Sequence, residues 1–268
     1  MNIKHFAAML LTPGWKKFSN RHKGESCYVF GDGPSIKWFD LNLFNDLPAI
    51  CCGLLPFHKD FNKLNVRYMM MVEPWLFVPK LIQPKILHEF SPMVAEYRRF
   101  INRSPGIEFF VSFSNILSLS GSNINYVFRG LPENRNGTDV LLGNFDLFSG
   151  SFHASLTIAY YLGFSKIYLV GFDAWTIQPA RNLHWYELGE GQFFEATNFA
   201  TEFLGILKRE TDIFTISVDG ESRYVKNINY KNYTGNTPIF KENNDIIDAH
   251  YLNILASYSK YNIFPVRK

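Results

Sequence analysis

A glycine-rich turn near the start of the chain contains the first residues whose types and spacing could bind a ligand. The run 27–40 reads C-Y-V-F-G-D-G-P-S-I-K-W-F-D. Its chemistry-bearing residues are Gly31, Asp32, Gly33 and Ser35. The order predicts a strand followed at once by a helix, where free N–H groups attract an anion and glycines let a phosphate approach the backbone. An ordinary turn with a serine cap fits equally well. The longer dinucleotide-binding fingerprint is missing, so NAD is not implied.

A second block, residues 149–173, has the same character. Ser149 and Gly150 precede a helix-like run, and a strand-like run after it ends at Gly171 and Asp173. Carboxyl ends of parallel strands meet at one edge of a sheet. We therefore expect Gly31, Gly171 and the helix start at Ser149 to converge on one crevice.

Three residues are candidate bases. His184 lies in the polar loop 174–191, and a neutral imidazole suits proton abstraction near neutral pH. Glu187 or Glu190 could fix its tautomer. His153, on the first turn of the second helix, is a rival, although a helix-packing role is more typical of such a position. Glu73 at a strand end is the carboxylate alternative, with a surface turn as the plainer interpretation.

Alternation of buried strands with helices predicts the elements that position these residues. The expected strands are 27–30, 49–52, 66–72, 107–111, 124–128, 166–170 and 213–218, and the expected helices include 36–43, 151–162 and 192–209. This pattern predicts an α/β, Rossmann-like, doubly wound, mainly parallel sheet with a small lid and C-terminal subdomain. The expected divisions are a basic amphipathic arm (1–24), a core domain (25–218) that includes the lid loop 174–191, and an aromatic, basic extension (219–268).

Composition and charge limit the location and the partners. The 268 residues carry a net charge of +3 and contain no apolar run long enough to span a membrane. The sequence therefore predicts a cytoplasmic protein. The arm has no acidic residue before Glu25, so an anionic membrane surface is one expected partner and a helix packed on the body is the alternative. No nucleic-acid motif accompanies the charges. The three cysteines are expected in the core, without a disulfide or a metal site.

Taken together, F-G-D-G-P-S-I-K-W-F-D, the S-G before a helix, and L-G-F-S-K-I-Y-L-V-G-F-D resemble the bacterial sialyltransferases of glycosyltransferase family forty-two, Campylobacter type. The opening H-K-G-E-S-C-Y-V-F-G-D-G-P-S is also similar to a wider group of surface-polysaccharide proteins that includes 6-hydroxymethylpterin diphosphokinase-like proteins. The likeness covers roughly residues 22–210.

The resemblance implies a glycosyltransferase that takes a CMP-activated acidic sugar, such as sialic acid or a Kdo-like sugar, as its donor. The implied acceptor is a cell-surface glycan or lipooligosaccharide, as in bacterial lipopolysaccharide or capsule biosynthesis, and the basic arm adds a peripheral place on the inner membrane as an expectation. No metal and no separate cofactor are implied, and His184 would be the base. The positions matched to donor binding are Gly31, Asp32, Gly33, Ser35, Gly53, Ser149, Gly150, Gly171, Asp173 and Trp175.

Several of these positions depart from the family pattern. Asp32, Gly53 and Glu73 stand where asparagines are usual, and Trp175 stands where a phosphate-binding tyrosine is expected. Unpaired carboxylates would repel a phosphate. Two alternatives therefore stay open: an Mg/ATP-dependent diphosphokinase-like phosphotransferase, and a non-catalytic sugar-nucleotide binding protein. The surplus of aromatic residues is compatible with a homo-oligomer.

Overall fold

Runs of apolar and aromatic residues form strands close to where the sequence predicts them. The computed structural model describes residues 17–83, 85, 88–127, 150–195, 201–263 and 265. The strands in these ranges are β1 (Ser26–Phe30), β2 (Ala49–Cys52), β3 (Val66–Met71), β4 (Glu108–Ser112), β5 (Ile124–Val127), β6 (Lys166–Val170), β7 (Ala180–Arg181), β8 (Phe193–Phe194), β9 (Asp212–Ser217) and β10 (Lys226–Asn229).

Eight of these strands form one sheet in the order β10-β9-β6-β1-β2-β3-β4-β5, and all neighbours in it are parallel. The chain leaves β1 in one direction through β2 to β5 and then returns to the other side of β1 with β6. The strand order therefore reverses between β1 and β6, as in a doubly wound sheet. The predicted α/β Rossmann-like class is confirmed.

Helices cover both faces of the sheet. They are α1 (Ser91–Arg103), α2 (Ser151–Tyr161), α3 (Asp173–Thr176), α4 (Thr201–Leu207), α5 (Tyr230–Thr234), α6 (Asn243–Ile246) and α7 (Ala249–Leu255). Successive strand residues point to opposite faces, so Tyr28 and Phe30 join one buried cluster while Cys27 and Val29 join the other. The cluster with Cys27 contains the buried side of α2. All three cysteines are buried in β1 and β2.

Two predicted helices differ from the structure. In place of a helix over 36–43, two short 3-10 turns occupy Pro34–Trp38 and Leu41–Leu43. Asp40 separates them because its side chain accepts the N–H of Asn42 at 3.1 Å, a local bond that competes with a continuous helix. In place of the start of a helix at 192, β8 pairs antiparallel with β7, and α4 follows after residues 196–200, which lie outside the described ranges.

The residues after 218 complete the same sheet and core. β10, with the sequence K-N-I-N, lies at the sheet edge beside β9, and Leu252, Leu255 and Tyr258 are buried in the cluster that contains Phe30. An edge strand can be polar, so β10 lacks the alternation that would have predicted it.

The described end of the N-terminal arm packs on the body. Phe18 is fully buried and its ring lies 5.1 Å from that of Phe110, and the His22 ring stacks 4.6 Å from that of Phe164. Residues 1–16 lie outside the described ranges. In the described part of the chain, no helix combines the length and the apolar character needed to cross a bilayer.

Candidate active site

The ends of β1 and β6 meet, as the two glycine-rich blocks predict. The N–H of Gly31 donates to the carbonyl of Val170 at 2.8 Å, and that of Gly33 donates to Gly171 at 2.6 Å. The N–H of Ser35 donates to Oδ2 of Asp173 at 3.0 Å, and burial raises the pKa of this carboxyl. The cavity left here measures about 10 Å³, which is room for about one water molecule.

The glycines of this junction let the segments that follow β1 and β6 approach each other closely. A side-chain carbon on Gly33 would lie 2.2 Å from Oδ2 of Asp173, and one on Gly31 would lie 2.5 Å from the carbonyl oxygen of Gly171. Moreover, the turn that follows is a 3-10 helix of five residues, and Asp173 already accepts the N–H of Ser35. Close approach of backbone to backbone thus accounts for the motif, and donor binding by these residues stays a prediction.

Asp32 joins three segments instead of facing solvent. Its Oδ1 accepts the N–H of Leu54 at 3.1 Å and the indole N–H of Trp185 at 3.0 Å, and its carbonyl oxygen accepts the backbone N–H of Trp185 at 3.1 Å. Burial raises the pKa of Asp32 to about 6, although the charge of His184 and these hydrogen bonds act in the opposite direction. A side-chain carbon at Gly53 would lie 1.6 Å from Oδ2 of Asp32, so Gly53 makes room for this carboxyl.

The centre of the loop 174–191, expected as a lid, is fixed to the body. Trp185 is fully buried. The equally buried Lys37 donates from Nζ to the carbonyl oxygens of Glu187 at 2.5 Å and Gly189 at 2.6 Å, and it pairs with Glu242 at 2.9 Å. These contacts hold the segment that carries His184 in one position.

His184 and Glu187 form a paired imidazole and carboxylate. Nδ1 of His184 lies 2.6 Å from Oε1 of Glu187, and the two side chains are 48% and 10% exposed. Glu187 also accepts the backbone N–H groups of His184 at 3.0 Å and Asn262 at 2.9 Å. Burial acts to raise the pKa of Glu187, but these hydrogen bonds outweigh it and lower the pKa. An ionised carboxylate only accepts hydrogen bonds, so Nδ1 is the nitrogen that donates to it, and in the neutral imidazole the lone pair is then on Nε2.

Two tyrosine rings pack on His184, and a third tyrosine contacts Gly53. The ring of Tyr186 stacks 5.0 Å from that of His184, and the ring of Tyr261 meets it edge-on at 5.7 Å. The hydroxyl of Tyr97 donates to the carbonyl of Gly53 at 2.8 Å. Tyr186 belongs to the polar loop that the sequence singles out, whereas Tyr97 and Tyr261 belong to no local motif, and only the surplus of aromatic residues hinted at them.

Glu73 marks an open part of the strand edge, beyond the end of β3. Its side chain is exposed, yet the surrounding protein raises the pKa of its carboxyl, and the charge of Asp32 adds to that effect. Both observations fit a group on the wall of an open crevice. Oγ of Ser151 lies 3.5 Å from Oε1 of Glu73, so the first turn of α2 is adjacent. At Gly150, just before α2, no described atom lies within 4 Å of the place for a side-chain carbon.

The other predicted site residues have packing roles or lie elsewhere. His153 is buried, with its ring 4.8 Å from that of Phe203 and 5.6 Å from that of Trp175. Trp175 stacks on Phe152 at 5.2 Å. Ser149 lies outside the described residues. Glu190 pairs with Arg181 at 3.4 Å, so Glu187 is the carboxylate that contacts His184. Within the described ranges, no group of three or more His, Cys, Asp or Glu side chains is arranged to hold a metal ion.

No family model matches the chain, and no curated protein matches it. Among solved structures, the chain is similar to the sialyltransferase CstII from Campylobacter jejuni in complex with the substrate analogue CMP-3FNeuAc. That match has 14% identity and a TM-score of 0.44, and it covers 87% of this chain and 100% of that one.

A second similar structure is the sialyltransferase CST-II with a trisaccharide acceptor and CMP, at 16% identity and a TM-score of 0.42, covering 82% of this chain and 92% of that one. A third is CstII from Campylobacter jejuni with cytidine-5'-monophosphate, at 14% identity and a TM-score of 0.41, covering 91% and 95%. The solved structures thus include sialyltransferases of the type that the sequence resembles, and the resemblance to diphosphokinase-like proteins stays a prediction.

Proposed function

We propose that the protein is a glycosyltransferase that transfers a sugar from a nucleotide donor to a hydroxyl group of a glycan, with His184 as the general base. The observation that carries the proposal is the half-exposed pair of His184 and Glu187, 2.6 Å apart, in electrostatic range of Asp32 at the carboxyl end of β1. A base needs an accessible lone pair and a fixed orientation, and this pair offers both.

In the proposed reaction, the acceptor oxygen forms a bond to the anomeric carbon of the donor sugar. Nε2 of His184 takes the acceptor proton. The bond between the anomeric carbon and the phosphate oxygen breaks, and its electron pair leaves with the nucleoside monophosphate. Negative charge therefore grows on the phosphate as the bond breaks, and it needs stabilisation there.

The start of α2 supports a position for that phosphate. α2 has 11 residues, and the N-terminus of such a helix presents unpaired N–H groups and positive potential. Gly150 leaves the approach open on the described side. Glu73 lies beside it with a raised pKa, and a protonated carboxyl would donate a hydrogen bond to a phosphate instead of repelling it. If the Glu73 carboxyl stays ionised, it repels the donor phosphate.

The donor class follows from the sequence resemblance: a CMP-activated acidic sugar, with sialic acid or a Kdo-like sugar as the first compounds to test. The proposed acceptor is a cell-surface glycan or lipooligosaccharide, and the proposed setting is the cytoplasmic side of a bacterial membrane. The proposed reaction has no step that uses a metal or a separate cofactor.

Calorimetric titration with CMP, UDP, GDP and ATP tests the proposal at its first step, with each nucleotide run in EDTA and in Mg²⁺. We expect CMP to bind in EDTA and CMP-sialic acid to be consumed with release of CMP when glycan acceptors are supplied. Binding of ATP only in the presence of Mg²⁺ would instead favour the phosphotransferase. Tight CMP binding without turnover on any acceptor, in wild type and His184→Ala alike, would favour the non-catalytic binder.

A further inference from the structure

We propose that the protein docks on an anionic lipid bilayer through a surface between β3 and α1. We name it the β3–α1 face and define it by Trp75, Lys80, Leu81, Ile82, Lys85 and Leu117. This surface lies outside the N-terminal arm, and the inference does not depend on the proposed catalysis.

The apolar side chains of this face are exposed to an unusual degree. Leu81 is 95% exposed, Leu117 is 97% exposed, Ile82 is 66% exposed and Trp75 is 47% exposed. Only two other large apolar side chains in the described ranges are comparably exposed, Phe193 and Ile239. Single exposed apolar residues are common, whereas a group of them marks an interaction surface.

Hydrogen bonds hold the face together. The backbone N–H of Trp75 donates to Oγ of Ser114 at 2.8 Å, which ties the segment after β3 to the loop that carries Leu117. Nε2 of Gln83 donates to the carbonyls of Trp75 at 3.3 Å and Leu76 at 3.0 Å. The exposed side chains therefore project from a defined backbone.

An open cavity of about 340 Å³ lies within the face, and Lys80, Arg98, Leu117 and Ser118 are among the residues that line it. One guanidinium N–H of Arg98 donates to the carbonyl of Phe77 at 2.6 Å. A guanidinium has five N–H donors, so Arg98 keeps others for a lipid phosphate. The cavity is large enough to seat a headgroup, and two cations line it.

The charges around the apolar residues favour an anionic partner. Lys80 and Lys85 are exposed on the face itself, and Lys260 lies nearby, 5.5 Å from the ring of Phe90. Exposed carboxylates in the neighbourhood are Glu73 and Glu89. Apolar side chains, an interfacial tryptophan and flanking lysines together are the composition that binds the surface of anionic membranes.

A second copy of the chain fits this face less well. In a two-fold dimer the same patch meets itself, so the interface would enclose Lys80 and Lys85 from both copies, and the four like charges would repel one another. A bilayer of anionic lipids meets the same cations with opposite charge and accepts Leu81 and Ile82 into its hydrocarbon. The bilayer is therefore the occupant that we propose.

Sedimentation of the full-length protein with phosphatidylcholine vesicles, with or without a quarter of phosphatidylglycerol, tests the proposal. We expect binding to the anionic vesicles that weakens with salt. The double variant Leu81→Ser/Ile82→Ser should lower the partition coefficient at least about tenfold, and Lys80→Glu/Lys85→Glu should lower it on anionic vesicles only. The matched control is Phe193→Ser/Ile239→Ser, which removes two exposed apolar side chains elsewhere and should bind like wild type.

All of these substitutions are at exposed positions, and equal thermal midpoints would establish that each variant is folded. The complete arm is present in every protein, so its contribution is the same throughout. The proposal is overturned if wild type does not bind anionic vesicles. It is also overturned if Leu81→Ser/Ile82→Ser binds them as well as Phe193→Ser/Ile239→Ser does. A concentration-dependent dimer in sedimentation velocity, lost only in Leu81→Ser/Ile82→Ser and accompanied by unchanged vesicle binding, would assign the face to a second copy instead.

Discussion

Two neighbouring regions at the carboxyl ends of the strands differ in how much of their polar groups is exposed. At the junction of β1 and β6, the N–H of Gly33 donates to the carbonyl of Gly171, the N–H of Ser35 donates to Asp173, and about 10 Å³ of space remains. Past the end of β3, Glu73 is exposed, and in the loop after β6 the His184 side chain is half exposed. The recognisable glycine motif therefore builds the closed part of the edge. The groups with accessible chemistry come from segments without a motif.

The largest expected effect lies on the open side. Replacing His184 with alanine should lower kcat about 10² to 10⁴-fold with little change in donor affinity, because it removes the base but no group at the phosphate. Steady-state transfer assays and donor titration measure the two quantities separately. Glu187→Gln should lower kcat less and leave KM for the donor unchanged, since it weakens the orientation of the imidazole.

His250→Ala is the matched control. This histidine is 62% exposed and hydrogen-bonded to Glu96, and both residues lie outside the candidate site. It should keep wild-type turnover. If His184→Ala retains more than about a third of the activity while Glu73→Gln loses most of it, the base is a carboxylate and the open side has been assigned to the wrong residue.

On the closed side, a substitution at the junction of β1 and β6 should lower the free energy of unfolding. Gly33→Ala places a side-chain carbon against Asp173 and the backbone of Gly171, so we expect about 1–3 kcal/mol of destabilisation and a thermal midpoint lower by several degrees. Gly106→Ala is the control, since no atom of the described residues lies within 4 Å of its added carbon. If Gly33→Ala is as stable as wild type but does not bind CMP, the turn binds the ligand and does not serve packing alone.

The smallest effect concerns Asp32, which connects the two sides. Its pKa is raised from 3.8 to about 6, so folding favours the protonated carboxyl, and the stability that this group contributes is lost as pH rises through about 6. Asp32→Asn removes that dependence. Thermal midpoints measured from pH 4 to 7.5 should therefore shift in favour of the variant up to about pH 6 and level off above it, and a difference that is constant from pH 4 to 6 would contradict this account.

The sequence predicted the strands well because their apolar runs are continuous and end at glycine or proline, as β1, β2 and β6 do. It failed at 36–43, where the side chain of Asp40 replaces helical hydrogen bonds with a local one. It also failed at β10, which is polar and lies at an edge. At 36–43 a local side-chain hydrogen bond overrides the helical pattern, and at β10 pairing with β9 overrides a low strand propensity.

The candidate site was predictable only in part. His184 could be named because a histidine in a polar loop after a core strand is a plausible base, and its contact with Glu187 spans only three residues. Lys37 and Tyr97 could not be named, since Lys37 contacts Glu187 and Glu242 at separations of 150 and 205 residues, and Tyr97 contacts Gly53. Likewise, Asp32 has the spacing of a ligand-binding residue but bonds to Trp185, 153 residues away.

The place of β1 in the sheet has a consequence for how the chain reaches its fold. Val29 pairs with Ile50 on one side and with Leu169 on the other. During synthesis, one edge of the growing sheet stays unpaired until residue 170 has left the ribosome, and that edge is apolar. Long-range parallel pairing is slow, and an exposed strand edge invites association with other chains. Expression at low temperature or with a chaperone that holds nascent chains should therefore raise the soluble yield more than any change at the protein surface.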